Sequence, residues 1–265
     1  MLRVLGVIPA RFASTRFPGK PLAPLGDRTM LQHVWEGARS SRKVDRLMVA
    51  TEDPRVVDAC AGFGAESMLT SPDHPSGTDR VAEVVERTGE PFDVVLNIQG
   101  DEPFVSGASL DRLVEAFGGE RSLEMATLAE PLLEGRDLFD PHVVKVVMAR
   151  DGRALYFSRS PIPFHRGTGE MPPPDFRTAL ASRPGGLRGY WKHQGIYAYT
   201  PAALFALREM PPSPLERDEG LEQLRALQAG FTILVLESDW RSLAVDTPDD
   251  LARAVARLAR EEIPR

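Results

Sequence analysis

The chain has only one cysteine, Cys60, and few aromatic residues, which make up 7% of its 265 positions. A single thiol excludes a disulfide within the chain and a cysteine-rich zinc site. The five histidines show no His-Glu-x-x-His spacing, which argues against a zinc hydrolase. Since structural disulfides are rare in reducing compartments, the low cysteine content fits our expectation of a cytoplasmic protein.

Long apolar runs are also missing. The longest clean run, residues 231–236, has the length of a strand and falls far below the roughly 18 residues that a membrane span needs. The first nine residues lack the apolar core and the cleavage site of a signal peptide. We therefore expect a soluble protein with no membrane partner.

Basic residues are not in excess. The formal net charge is −6, so the sequence carries no electrostatic footprint for DNA or RNA and we expect no nucleic-acid partner. The same acidic balance disfavours a general anion trap, so a site for a phosphate-rich ligand has to be built locally. Apolar residues make up 42% of the chain, enough for a substantial core.

Short apolar runs alternate with helix-like segments. The runs rich in Val, Ile and Leu, which are typical of parallel strands buried on both faces, lie at 4–8, 46–50, 93–98 and 231–236. Helix signals between them are Thr29 as an N-cap with Gln32 in a capping-box position, and stops at Gly89 and at Gly118-Gly119. A last helix is predicted to begin at Thr247-Pro248. This order predicts an α/β fold with a Rossmann-like, doubly wound sheet.

The middle of the chain departs from this alternation. Residues 124–129, 143–149 and 153–157 indicate strands without long helices between them, so we expect a mostly parallel sheet that becomes mixed. Residues 160–190 are rich in proline and glycine. We interpret them as an excursion, a lid or a dimer contact, within a single domain over 1–265.

The first strand leads into a basic loop, Pro9-Ala10-Arg11-Phe12-Ala13-Ser14-Thr15-Arg16-Phe17-Pro18-Gly19-Lys20-Pro21-Leu22. Ligands of open α/β sheets bind outside the carboxyl ends of the strands. Backbone N–H groups and fixed positive charge are the parts of a phosphate cradle, in which Arg11 and Lys20 would counter the charge of a triphosphate. The loop is not a Walker A sequence, and it could also be a basic surface connection.

Two acidic residues belong to the same hypothesis. Asp101 in Asn97-Ile98-Gln99-Gly100-Asp101-Glu102-Pro103 follows a predicted strand, so we expect it on the rim that carries the basic loop, as a Mg²⁺ ligand. Gly100 would allow close approach of a ligand. Asp246, just before the last helix, is a candidate second carboxylate. The ordinary alternatives are a Gly-Asp turn and a helix-entry acid.

Further polar groups have roles that the residues leave open. The segment Ser76-Gly77-Thr78-Asp79-Arg80 is typical of a turn and a helix start, and would also suit a base or ribose. His193 and Tyr197 are of a kind that is more often structural than catalytic. Glu219 and Gln223 are four apart, so on a helix they would share one face, as a sugar-hydroxyl clamp or an exposed side.

Together these segments resemble the CMP-Kdo synthetase family, the 3-deoxy-manno-octulosonate (Kdo) cytidylyltransferases. The resemblance runs from about Val7 to Leu251. Beyond the stretches quoted above, it is carried by Tyr156-Phe157-Ser158-Arg159, Gly195-Ile196-Tyr197, Ser213-Pro214-Leu215-Glu216, Leu221-Glu222-Gln223-Leu224-Arg225 and Val245-Asp246-Thr247-Pro248. It implies a nucleotide-diphospho-sugar transferase fold, a homodimer, and Mg²⁺-dependent transfer of CMP from CTP to the 2-hydroxyl of Kdo, a step of lipopolysaccharide biosynthesis that releases pyrophosphate.

The resemblance also implies residue roles. The nucleotide would be bound by Ala10, Arg11, Ser14, Lys20, Ser76, Gly77, Arg80, Gln99, Gly100 and Asp101. Catalysis would rest on Arg11, Lys20, Asp101 and Asp246, and the two aspartates would hold the metal. The Kdo carboxylate would pair with Arg159, whose planar guanidinium gives bidentate contact. The Kdo hydroxyls would contact His193, Tyr197, Glu219 and Gln223.

Three alternatives stay open at this point. One is a nucleotidyltransferase for another acceptor, such as an 8-amino Kdo analogue, another acidic sugar or a sugar phosphate. Another is a catalytically silent nucleotide-binding protein, against which the joint presence of Lys20, Asp101 and Asp246 argues. The third is an NAD(P)-dependent oxidoreductase. Its fingerprint is poor, because Gly62-Phe63-Gly64 is followed by Ser67 in place of a glycine and lies after a helical segment.

Overall fold

The computed structural model describes residues 2–13, 17–119, 123–165, 180, 186–238 and 240–261. The chain divides into two compact units. The first unit contains Met1–Ala126, Gly195–Glu209 and Asp239–Arg265, and the second contains Thr127–Gln194 and Met210–Ser238. The single domain that we expected over 1–265 stays a prediction.

The strands and helices follow in chain order. The strands are β1 (Val4–Pro9), β2 (Pro24–Leu25), β3 (Arg28–Thr29), β4 (Arg46–Thr51), β5 (Glu66–Leu69), β6 (Val94–Asn97), β7 (Met125–Pro131), β8 (Lys145–Met148), β9 (Ala154–Ser158), β10 (Trp191–Tyr199) and β11 (Ile233–Glu237). The helices are α1 (Met30–Arg39), α2 (Pro54–Phe63), α3 (Gly77–Thr88), α4 (Gly107–Ala116), α5 (Gly135–Phe139), α6 (Pro201–Glu209), α7 (Pro214–Glu219), α8 (Gln223–Gln228) and α9 (Pro248–Glu261). No helix in the described ranges is long and apolar enough to cross a bilayer.

A parallel sheet forms the centre of the first unit. Its strand order is β5-β4-β1-β6, and each neighbouring pair is parallel. The end of β10 adds an antiparallel partner to β6, through Tyr197 opposite Asn97. The first strand of the chain thus lies inside the sheet, and the winding direction reverses between β1 and β6. This is the switch point of a doubly wound sheet, where ligands of such folds bind, and the predicted fold class is confirmed.

The apolar residues of β1 and β6 suit a position in the middle of the sheet, where both faces are covered. Five of the six residues of β1 and all four of β6 are buried, as is expected for parallel strands covered on both faces. The predicted runs at 4–8, 46–50 and 93–98 are confirmed within one residue at each end. The run at 231–236 is a strand too, but it belongs to the second unit and its buried residues, Ile233 and Val235, alternate with partly exposed ones.

Helix ends largely follow the predicted signals. The Thr29 hydroxyl accepts a hydrogen bond from the Gln32 backbone N–H at 3.2 Å, and Gly89 ends α3 in the left-handed region. The Gln32 side chain donates instead to Glu36, so only half of the expected capping box forms there. The Gly62-Phe63-Gly64 segment is the end of α2, which removes it as a dinucleotide fingerprint.

The second unit is built on antiparallel pairs. β8 pairs antiparallel with β9 and with the beginning of β10, and its register shifts between Val147 and Met148. This confirms that the sheet changes from parallel to mixed in the middle of the chain. Of the predicted excursion at 160–190, residues 166–179 and 181–185 lie outside the described residues.

His193 of β10 is buried in the second unit. Its ring packs edge-on against Phe157 with centroids 4.9 Å apart, and Nε2 lies 3.0 Å from the Thr127 hydroxyl. That hydroxyl donates its proton to the Gln194 carbonyl at 3.1 Å, so Nε2 is the protonated nitrogen of the imidazole. Burial lowers the pKa of His193 to about 3, and the imidazole is neutral at ordinary pH.

Gly100 lies directly against the end of β1. A Cβ at position 100 would stand 2.6 Å from the carbonyl oxygen of Pro9, which is well inside van der Waals contact. The sequence suggested that this glycine admits a ligand, whereas in the structure its missing side chain admits the backbone of Pro9. Gly100 therefore sets the spacing between the loops that leave β1 and β6.

We expect Gly100→Ala to lower the free energy of unfolding by about 1–3 kcal/mol, because the methyl group forces the two strand ends apart. Urea denaturation of the purified variant measures this. Gly62→Ala is the matched control: it lies in α2 with nothing within 4 Å of the added methyl, and should be neutral or stabilising by up to about 1 kcal/mol. Equal unfolding free energies for the two variants would contradict the packing role of Gly100.

His193 makes stability depend on acid. Its folded pKa is depressed, so between about pH 3 and its ordinary value near 6.5 the unfolded chain binds one more proton than the folded chain. Stability then falls as the pH falls through this window, by about 1.4 kcal/mol per pH unit. Urea denaturation from pH 6 to pH 4 should show a shallower loss for His193→Gln. His142→Gln, at an exposed histidine, should keep the wild-type loss, and a His193→Gln slope equal to the wild type would be evidence against this linkage.

Candidate functional site

Lys20 holds together two distant acidic residues in the first unit. It begins a short 3-10 turn after Gly19, which adopts a φ of 74°. Its ammonium donates to Asp101 Oδ2 at 2.8 Å and to Asp246 Oδ1 at 3.0 Å. Burial by itself lowers the pKa of Lys20, but the two carboxylates outweigh that effect and leave the pKa above its ordinary value. Three of the four predicted catalytic residues therefore lie at one point.

Backbone and side-chain bonds hold Asp246 in this position. The Val245 N–H donates to the Asp101 carbonyl at 2.9 Å. Asp250, in the first turn of α9, accepts from the Asp246 and Thr247 N–H groups at 3.0 and 2.9 Å. Asp246 is thus more than the helix-entry acid that its position in the sequence allowed, because its own carboxylate faces Lys20.

A second tie, between Glu102 and Ser242, was not predicted. Glu102 is buried and accepts from the Ser242 hydroxyl at 3.0 Å. This hydrogen bond joins the segment before Asp246 to the segment that carries Asp101. An acid directly after the predicted metal ligand was the only signal in the sequence, and nothing in the sequence pointed to residue 242.

Phe12, near the beginning of the basic loop, is held by a backbone hydrogen bond and by a stacked arginine. The Gly19 N–H donates to the Phe12 carbonyl at 3.0 Å, and the Arg55 guanidinium stacks on the Phe12 ring at 3.7 Å from its centroid. Ala10 is buried at the end of β1, and Arg11 is exposed. The predicted phosphate ligand Ser14 lies outside the described residues.

The start of α3 packs on the end of β1. The Ser76 hydroxyl accepts from the Asp79 N–H at 3.2 Å, which confirms the predicted helix start. Gly77 approaches Pro9, since a Cβ at position 77 would lie 3.4 Å from the proline ring. Gln99, at the end of β6, faces Gly195, where an added Cβ would stand 3.4 Å from its side chain.

Arg80, from the same helix, is completely buried. One guanidinium nitrogen lies 3.1 Å from Glu52 Oε2, and another donates to the Thr70 hydroxyl. Burial lowers the pKa of Arg80, the Glu52 carboxylate opposes this, and the nearby charge of Arg11 adds to it. The guanidinium is therefore directed to protein groups, and the predicted contact of Arg80 with cytidine stays a prediction.

Arg159 and Glu219 are joined in the second unit. The Arg159 backbone N–H donates to Glu219 Oε2 at 2.8 Å, and its Nε donates to the Glu219 carbonyl at 2.6 Å. The Ser158 hydroxyl donates to the other carboxylate oxygen at 2.6 Å. Arg159 Nη1 also donates to the Pro141 carbonyl at 2.8 Å. Two of the predicted sugar ligands are thus in direct contact.

Lys145 supports this pair and was missed in the sequence. It is completely buried, and its ammonium donates to the carbonyls of Asp140, Val143 and Arg159 at 2.9, 2.5 and 2.5 Å. Burial lowers the pKa of Lys145 to about 8. A lysine in the middle of a hydrophobic strand pattern was the only available signal.

Glu219 and Gln223 do not share one helix face, so that prediction was wrong. Glu219 is the last residue of α7, Gly220 follows in the left-handed region with a φ of 61°, and Gln223 begins α8. The glycine breaks the helical spacing on which the prediction depended. Gln223 is buried, and so is Tyr197, whose ring stacks with that of Tyr199.

The described residues contain no group of three or more His, Cys, Asp or Glu side chains arranged to hold a metal ion. Asp101 and Asp246 nevertheless supply two carboxylates whose oxygens converge on one ammonium. Chemically, the first unit offers positive charge, a carboxylate pair and the open rim of a doubly wound sheet. The second unit offers a guanidinium and a carboxylate.

Known proteins match nearly the whole chain. Residues 5–234 match the family model described as Cytidylyltransferase. A protein of Solibacter usitatus, named 3-deoxy-manno-octulosonate cytidylyltransferase, is 45% identical over 98% of this chain and 96% of its own length. One of the same name from Leptospira biflexa is 47% identical over 98% of both chains.

A solved structure of CMP:2-keto-3-deoxy-manno-octonic acid synthetase complexed with CTP is 38% identical and superposes with a TM-score of 0.84. The alignment covers 98% of this chain and 99% of that one. With the family model and the full-length relatives, this similarity places the protein among the cytidylyltransferases, and it belongs to the 3-deoxy-manno-octulosonate cytidylyltransferase (CMP-Kdo synthetase) family.

Proposed function

We propose that this protein transfers CMP from CTP to the 2-hydroxyl of Kdo and releases pyrophosphate. The observation that carries the proposal is the contact of Lys20 with Asp101 and Asp246 beside the switch point of the sheet. A cation flanked by two carboxylates at that rim suits a nucleoside triphosphate. The names of the full-length relatives supply the sugar, and the CTP complex of the solved relative supplies the nucleotide.

CTP occupies the carboxyl ends of β1 and β6 in this proposal. Arg11, Ser14 and Lys20 hold the phosphates, with Ala10 and Gly100 giving backbone contact. Ser76, Gly77 and Gln99 lie beside the cytidine. Arg80 belongs to the same part of the nucleotide site and is buried beneath its surface. The support is that the loops after β1 and β6 are packed together through Gly100 and Pro9, so their side chains act at one rim.

Mg²⁺ is part of the proposal, with Asp101 and Asp246 as its protein ligands. Mg²⁺ prefers oxygen ligands and is commonly held by one or two carboxylates together with substrate phosphates and water. The pair fits this donor set because both carboxylates reach one common partner, Lys20. When bound, the metal would neutralise developing phosphate charge and polarise oxygen atoms of the substrates.

The residues that the family resemblance assigns to Kdo are Arg159, His193, Tyr197, Glu219 and Gln223. Arg159 pairs with the sugar carboxylate, for which a guanidinium fork is suited. The Kdo hydroxyls form hydrogen bonds with Glu219, His193, Gln223 and Tyr197. His193 acts as a neutral imidazole whose Nε2 proton is held by Thr127, so it serves as an orienting group and not as a cation.

The residues catalyse the transfer mainly by orientation and charge. Lys20 and Arg11 counter the negative charge that builds up as the 2-hydroxyl attacks the α-phosphorus in line and pyrophosphate leaves. The protein forms no covalent bond to the substrates in this scheme. The homodimer and the cytoplasmic location stay predictions, and an acceptor other than Kdo is disfavoured by the shared name of the relatives.

Pyrophosphate release measures the proposed reaction directly. With Mg²⁺ present, we expect release that requires both CTP and Kdo, and little release with ATP, GTP or UTP. Parallel reactions contain 8-amino Kdo, other acidic sugars or sugar 1-phosphates. Faster release with another acceptor would overturn the sugar assignment, and folded protein that binds CTP but releases no pyrophosphate with any acceptor would support the silent alternative.

Asp101→Asn should lower kcat by about 100-fold or more, because the metal loses a charged ligand in the transition state. Asp58→Asn, at an exposed acid of α2, is the matched control and should keep wild-type turnover. Steady-state kinetics at saturating CTP and Mg²⁺ distinguishes the two. Near-normal turnover of Asp101→Asn would remove Asp101 from the metal site.

A further inference from the structure

Glu52 lies beside the basic loop and has no role in the proposed chemistry. It follows the last residue of β4, and its Oε1 accepts from the Phe12 N–H at 2.8 Å and from the Ala13 N–H at 3.3 Å. Its side chain is only 12% exposed. A carboxylate so close to a triphosphate site would repel the ligand unless its charge were balanced, so its presence needs an explanation.

Arg80 balances that charge from behind. Its Nη2 lies 3.1 Å from Glu52 Oε2, and its side chain is completely buried. Arg80 is itself held by the Thr70 hydroxyl, which donates to the carbonyl of Thr51 at 3.0 Å. A continuous set of contacts therefore runs from β4 through Thr70, Arg80 and Glu52 to the backbone of the loop.

The loop end is held at both polar atoms of the Phe12 backbone. Its N–H is bound by Glu52, and its carbonyl is bound by the Gly19 N–H, next to Lys20. Hydrogen bonds from backbone N–H groups to a carboxylate are among the stronger ones in proteins. With the Phe12 and Ala13 N–H groups occupied by protein, the conformation of the loop at these two residues is set before a ligand binds.

We propose that Glu52 is a positioning residue of the nucleotide loop, which it fixes through the Phe12 and Ala13 N–H groups, and that buried Arg80 acts through Glu52. This rests on the proposed binding of CTP by the loop. The expected consequence is selective. Loss of Glu52 impairs the binding of CTP and leaves the binding of Kdo unchanged, because the loop carries residues assigned to the phosphates and none that are assigned to Kdo.

Two variants of Glu52 separate charge from reach. Glu52→Gln keeps an acceptor but removes the carboxylate nearest to the buried Arg80 cation. Glu52→Asp keeps the charge but withdraws it from the Phe12 N–H by one methylene. We expect each to raise the KM for CTP by about tenfold or more, with a smaller change in kcat and an unchanged KM for Kdo. Glu66→Gln is the matched control, since it removes an arginine-paired acid of the same unit that does not contact the loop.

Arg80 supplies the second arm of the experiment. Arg80→Gln should weaken CTP binding because the Glu52 charge then faces the triphosphate, and the double variant Glu52→Gln/Arg80→Gln should bind CTP more tightly than Arg80→Gln alone. Calorimetric titration with CTP measures this without turnover. Three results would each overturn the positioning role. They are a loss of CTP affinity in the double variant equal to the sum of the losses in the two single variants, an equal rise of the KM for CTP and the KM for Kdo, and an unchanged KM for CTP in folded Glu52→Asp. A wild-type protein that binds CTP but does not use Kdo would fail only the proposed function.

Discussion

The contact of Lys20 with Asp101 and Asp246 is the interaction on which the candidate site depends. The three residues come from the loop after β1, the loop after β6 and the segment before α9. A half-buried ammonium and two carboxylates are costly to bury without partners, so the loss of one of them leaves an uncompensated charge. Folding of the first unit therefore brings three distant segments to one rim, and no single segment contains the site.

The sheet order makes this convergence possible. Because β1 lies between β4 and β6, the ends of β1 and β6 are neighbours across the reversal of winding. Because Gly100 has no side chain, the loop after β6 can approach the Pro9 backbone at the end of β1. Topology brings the loops together, glycine sets their distance, and the ion pairs orient the side chains. Each step depends on the one before it.

The parts of the molecule that were predictable from the sequence are those whose signals are local. The buried strands β1, β4 and β6 and the ends of α1 and α3 follow from apolar runs and capping residues a few positions apart. The basic loop and Asp101 were found because both follow a strand. The assignment of Asp246 to the metal needed the family resemblance. Spacing along the chain does not predict a contact such as that of Asp246 with Lys20, which lies 226 positions away.

The residues that sequence reasoning missed act through other residues. Glu52, Glu102 and Lys145 bind backbone groups or polar side chains from other segments, so no local pattern marks them. The error at Glu219 and Gln223 has a local cause, since one glycine in the left-handed region ends the helix between them. Long-range polar contacts and single backbone reversals are the two features that periodicity does not reveal.

Charge balance explains how an acidic protein can present a site for a triphosphate. Arg11, Lys20 and Arg80 contribute three positive charges to the described rim, and Glu52, Asp101 and Asp246 contribute three negative ones. These six charges offset one another, so together they have little long-range attraction for a free polyanion. We therefore expect binding to come from short-range geometry and from the Mg²⁺ ion proposed to accompany the nucleotide. For this reason we expect the proposed placement of the loop by Glu52, and the carboxylate pair proposed to bind Mg²⁺, to matter more here than net charge.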